Sequence, residues 1–193
     1  YYVAYKPVLG DRVVHTGIPI DTDGIVMRPL DKAPQKVRFF IGIQPTRTVL
    51  KGTDRMLDAL KRVCAARPDE CEMVVVEGVP YEQYIEKMRS SHVLLDQLYS
   101  YTPATNALLA MAQGLVAVSG AEPEFYDLIG ETEIRPVVNV DPLIEGDIEA
   151  QLNHIIDNKQ LLPEMSRNSR LFVERHNAAA IVAQRHIDFW NTL

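Results

Sequence analysis

Val37-Arg38-Phe39-Phe40-Ile41-Gly42-Ile43 is a run in which only Arg38 carries charge. A strand with one wet face alternates apolar and polar residues. A run that is apolar at both parities has both faces covered, as in a parallel sheet between two layers of helix. The residues downstream repeat the theme. Met56, Leu57, Leu60, Val63 and Cys64 recur at helical spacing and predict a helix over 52–66. Met73-Val74-Val75-Val76 reads as a second buried strand, closed by Glu77-Gly78. A helix over 81–90 follows, with Tyr84, Ile85 and Met88 inward, then a third strand over 93–95. An apolar helix over 105–113, strands over 115–118 and 134–140, and a short helix over 122–129 complete the alternation. Helices over 147–157, 162–176 and 178–193 close the chain, with acids Asp147 and Glu149 suited to a helix start.

Residues 1–34 differ. The segment Gly17-Ile18-Pro19-Ile20-Asp21-Thr22-Asp23-Gly24 is rich in Pro, Asp and Gly, and the stretch reads as a linker arm ahead of a lobe over 35–193. The chain opens at Tyr1-Tyr2-Val3 without Met, as expected of a piece cut from a longer protein.

Composition narrows the function. The 193 residues are 47% hydrophobic, enough for one sizeable core. A formal net charge of −6 argues against a nucleic-acid partner, which selects a basic face. No apolar run has the roughly 18 residues of a transmembrane segment. Cys64 and Cys71 match no zinc spacing and read as buried free thiols, which suits a reducing cytoplasm. The five histidines show no metal spacing, so no metal site is expected.

In a parallel α/β sheet, ligands bind beyond the carboxyl ends of the strands. The loop after the first strand holds Arg47 and Lys51, then Gly52-Thr53-Asp54 opening a helix. Two cations beside a helix amino-terminus suit a diphosphate, since backbone amides and the helix dipole favour anions there. Two basic residues in an exposed loop are also, and more often, simply solvated. The loop over 99–106 offers Thr102, Thr105 and Asn106, which are good caps and surround amides where a phosphate could sit. Asp96 ends the third strand. As a phosphoacceptor it would need further acids after the first strand and a Lys after the fifth; Gln44-Pro45 and Asp141-Pro142 stand there instead. Neither Gly-x-Gly-x-x-Gly nor a Walker loop occurs.

His92-Val93-Leu94-Leu95, then Tyr99-Ser100-Tyr101, then Leu108-Leu109-Ala110-Met111-Ala112-Gln113-Gly114-Leu115-Val116 resembles the carboxyl-terminal lobe of the group-one retaining glycosyltransferases of GT-B fold. Lys51-Gly52-Thr53-Asp54 is similar to that family's Lys-Gly-x-Asp segment, whose Lys binds donor phosphate. Gly42 matches the glycine after the first strand, and Pro80-Tyr81 the turn beside the donor base. Thr16-Gly17-Ile18-Pro19 resembles the linker before the lobe. The resemblance implies a Rossmann-like, doubly wound parallel sheet that is one lobe of a two-lobed enzyme, completed by its own amino-terminal lobe.

The same resemblance implies a nucleotide-diphosphate sugar as donor and no bound cofactor. The family's two glutamates, one on the transferred sugar and one on the donor ribose, fall here on Tyr101 and Leu109. The donor-binding set implied is Gly42, Arg47, Lys51, Gly52, Pro80, Tyr81, Tyr101, Thr102, Thr105, Asn106 and Leu109. Two alternatives stand beside glycosyl transfer: loss of both carboxylates suits a non-catalytic nucleotide-sugar-binding module, and the likeness of carboxyl-terminal lobes admits a nucleotide-sugar epimerase of the same architecture.

Overall fold

The computed structural model describes residues 2–192 of the chain. Helix α1 (Tyr2–Leu9) and a 3-10 turn (Gly10–Arg12) precede an extended segment. Then come β1 (Val37–Ile43), α2 (Thr48–Lys51), α3 (Thr53–Ala66), β2 (Cys71–Glu77), α4 (Tyr81–Arg89) and β3 (Val93–Leu95). Next are α5 (Thr105–Ala112), β4 (Val116–Ser119), α6 (Pro123–Ile129) and β5 (Val138–Asn139). Helices α7 (Asp147–Asp157), α8 (Leu162–His176) and α9 (Ala179–Trp190) end the chain. The five strands form one sheet in the order β2-β1-β3-β4-β5, and every neighbouring pair is parallel. The protein is thus an α/β, Rossmann-like doubly wound fold.

The apolar parity of β1 has its expected cause. Val37, Phe39 and Ile41 enter one core with Met56 and Leu60 of α3 and Leu152 of α7. Phe40 points the other way, to Met88 of α4, Leu108 and Met111 of α5, and Phe172 of α8. Helix α5 lies between the sheet and α8, and buries Ala107, Leu108, Ala110, Met111 and Ala112. A helix covered on most sides must be apolar on most sides, which explains its lack of an amphipathic stripe.

Three expectations need correction. The second strand was expected to be buried, yet β2 is the sheet edge, and Met73 and Val75 are 40% and 41% exposed. An edge strand has neighbours on one side only, so its covering helix cannot close over it. The fifth strand, expected over 134–140, pairs only at Val138–Asn139, because Val118↔Val138 and Ser119↔Asn139 complete its register with β4. The arm carries helix α1, which Pro7 and the loop-like segment after it concealed.

Beyond that helix the arm lies on the lobe. Ile20 forms a parallel bridge with Ala178, and its N–H donates to the Asn177 carbonyl at 2.7 Å. Arg170 of α8 donates to the carbonyls of Thr22 (2.7 Å), Ile25 (2.8 Å) and Ala112 (2.8 Å). Among the described residues no helix is long and apolar enough to cross a membrane. Cys71 is buried and Cys64 half-buried; both are free thiols, 3.7 Å apart at sulfur.

Candidate functional site

In this strand order the chain turns to opposite sides of β1, so a crevice opens beyond the carboxyl ends of β1 and β3. The loop leaving β1 runs through a 3-10 turn (Pro45–Arg47) and α2 to Gly52. Gly52 adopts φ 69°, the left-handed region where glycine is unstrained. A Cβ there would lie 2.7 Å from Leu98 Cβ and 2.9 Å from the Tyr99 ring. The Lys51 carbonyl accepts the Leu98 N–H at 2.8 Å. The Lys51-Gly52 step is therefore fastened to the loop leaving β3.

That second loop is also fastened to β4. The Ser119 hydroxyl and the Gly120 N–H both donate to the Gln97 carbonyl at 3.3 Å, and the Glu122 N–H donates to the Tyr101 carbonyl at 3.1 Å. Gly120 is pressed against Ser100 so closely that a Cβ would fall 1.5 Å from the Ser100 carbonyl oxygen. The loop then delivers α5, whose amino-terminal cap is Ala104 with no side-chain hydrogen bond. Thr102, Thr105 and Asn106 were expected as caps, and none fills that role. Thr105 and Asn106 already lie inside the helix, and the Asn106 amide is engaged elsewhere. The backbone N–H groups of Thr105, Asn106 and Ala107 have no acceptor among the described residues.

Asn106 belongs to a buried polar chain. The Tyr84 hydroxyl donates to Asn106 Oδ1 at 2.9 Å, and Asn106 Nδ2 donates to Asp96 Oδ1 at 3.1 Å. Asp96 is only 3% exposed, and its Oδ2 has no partner. Burial pushes the Asp96 carboxyl above its ordinary range, against the opposing pull of the Asn106 hydrogen bond and the Lys51 charge. Burial also pushes the Tyr84 phenol up to about 12, opposed by its bond to Asn106 and reinforced by Asp96. The Tyr84 ring meets Phe40 edge-on at 5.1 Å and fills the space a side chain at Gly42 would take, 2.6 Å from its Cβ. Gly42 thus makes room for Tyr84.

The expected donor-binding residues fall in three places. Gly42, Lys51, Gly52, Thr105 and Asn106 gather at the crevice, with Arg47 exposed on the adjoining turn. Neither Arg47 nor Lys51 forms an ion pair among the described residues. Leu109 and Tyr81 line a groove of about 460 Å³ between α4 and α5, with Ile25, Arg28 and Arg89, while Pro80 caps α4 in the open. Tyr101 is 80% exposed and lines another groove, of about 730 Å³, with Thr102, Tyr2, His15 and Phe125.

Two participants escaped the sequence reading. Asp96 was weighed only as a phosphoacceptor, and Tyr84 only as an inward residue. An acid ending an apolar strand was the available signal; its partners were not.

The fold is a parallel α/β lobe with its topological switch point between β1 and β3. No protein-family model matches this chain, and no curated protein matches it in sequence.

Proposed function

We propose that this chain is the donor-binding lobe of a glycosyltransferase and holds a nucleotide-diphosphate sugar at the β1/β3 crevice. The observation that carries the reading is the joining of the Lys51-Gly52 step to the β3 loop, which sets an unpaired lysine near Asp96, itself bonded to Asn106 in the uncapped first turn of α5. Amides without acceptors, a helix dipole and a cation are the groups a diphosphate needs. In transfer, the same groups would stabilise the charge that develops on the departing diphosphate. The acceptor would be bound by an amino-terminal lobe joined through residues 1–34.

Calorimetric titration with uridine and guanosine diphosphates tests the reading. Lys51→Ala and Arg47→Ala should each weaken binding by about 1.5–3 kcal/mol, the range for hydrogen bonds to charged groups. Unchanged affinity in both variants would place the anion site elsewhere.

A second reading, a non-catalytic nucleotide-sugar-binding module, is favoured by Leu109 and Tyr101. Leu109 lines the α4 groove and Tyr101 projects into solvent, so neither resupplies a carboxylate at the crevice. A donor-hydrolysis and transfer assay on this lobe joined to the proposed amino-terminal lobe separates the two, since the module would show neither.

A further inference from the structure

The acid at the base of the crevice conflicts with the anion it is proposed to hold. Asp96 Oδ1 is bound to Asn106, in the first turn of α5, and Lys51 lies near enough to act on the Asp96 charge. Those are the two groups offered to a phosphate. An ionised Asp96 would oppose the ligand charge at short range and with little water between, where electrostatic effects are strongest. Lys51 would then have two anions to balance. We propose that Asp96 takes up one proton, supplied by solvent, when a phosphate-bearing ligand binds between Lys51 and the first turn of α5. This inference rests on the anion site proposed above.

One oxygen of the carboxyl is free to take the proton. Oδ1 accepts from Asn106 and stays unprotonated, while Oδ2 is buried without a partner. An O–H on Oδ2 removes the charge without disturbing the Tyr84–Asn106–Asp96 chain. Lys51 and the three free amides then serve the ligand alone. Among the described residues the titratable groups acting on Asp96 are Lys51, at the end of α2, and Tyr84, from α4. Helix α5 presents the neutral Asn106, and from β4 the Val118 carbonyl accepts the Asp96 N–H at 3.0 Å. Tyr84 stays neutral in the range of interest, since its phenol is held at about 12. Asp96 is therefore the group whose protonation the ligand would change.

The test uses the 193-residue chain with uridine diphosphate glucose and guanosine diphosphate mannose. Their phosphates do not titrate between about pH 5 and 9, so a proton taken up belongs to the protein. Binding heats are compared in buffers of low and high ionisation enthalpy across that range. The expected result is uptake approaching one proton, with affinity falling by up to about tenfold per pH unit as the pH rises. Asp96→Asn keeps the hydrogen-bonding shape without the titrating group, and should bind with no uptake and a flat pH profile. The buffer series on the unmodified chain stands even where that variant folds poorly. Binding with buffer-independent heats at every pH overturns the proton linkage and leaves the anion site intact. Uptake retained in a folded Asp96→Asn variant also overturns it. Absence of binding by both sugars removes the anion site itself, and this inference with it.

Discussion

At the residue scale, the crevice depends on what is missing as much as on what is present. Gly120 illustrates this. Its neighbour is the backbone carbonyl of Ser100, and backbone pinned by the Gln97 and Tyr101 bonds cannot swing aside as a side-chain tip can. Gly120→Ala should therefore destabilise the fold by roughly 3 kcal/mol, the upper range for overpacking, and loosen the β3 loop with it. Chemical denaturation measures the first effect, and a variant as stable as the parent chain would show that Ser100 can move. Gly42 is the milder case, because its neighbour is the end of the Tyr84 side chain. The resemblance pointed to Gly42 as the glycine after the first strand; it lies instead inside β1, and the reason found here is room for a tyrosine 42 positions later.

At the element scale, the turn after α6 is joined to the end of α8 by one acid. Glu131 Oε1 accepts the N–H groups of Glu133 (2.7 Å) and Ile134 (3.1 Å), and Oε2 meets His176 Nε2 at 2.8 Å. Burial by itself would raise the carboxyl. The His176 bond and the two amides outweigh it and hold the group at about 2, against an ordinary 4.5. A carboxyl lowered in the folded state contributes stability that is complete above about pH 4.5 and lost as the pH falls through about 2. The contribution is on the order of 3 kcal/mol. Glu131→Gln should lower the melting temperature near neutrality and converge on the parent chain toward the acid limit. Thermal melts across that range check it; a constant gap between the two curves would sink the assignment.

At the scale of the whole molecule, residues 16–28 are part of the lobe's surface structure. Arg170 is the principal fastener, holding Thr22, Ile25 and Ala112 at once, while Asn177 Nδ2 holds the Ile18 carbonyl at 2.9 Å and Arg185 the Thr16 carbonyl at 3.1 Å. Arg170→Ala strands three carbonyls and should cost roughly 3 kcal/mol, since charged hydrogen bonds are each worth about half of that or more and do not add. Amide hydrogen exchange should quicken across residues 18–28 while β1 and β3 keep their protection. Unchanged exchange in that segment would mean that the Ile20–Ala178 bridge and the Asn177 and Arg185 bonds secure the arm without Arg170.

By itself the sequence determined the class of fold. Apolar runs at both parities in 37–43, 93–95 and 115–118 and the helical spacing of Met56, Leu60 and Val63 are local properties, and they survive into the structure with boundaries shifted by a residue or two. Only the tertiary structure decided which strand is the edge, because a continuous apolar run looks the same at any place in the sheet until its neighbours are known. It alone joined Tyr84, Asn106 and Asp96, which are 22 and 10 residues apart along the two bonds of their chain. It also set Leu109 in a groove shared with α4. Periodicity reports which face of an element is covered. What covers it, and which polar groups meet there, follow from strand order and loop packing, which no local pattern encodes.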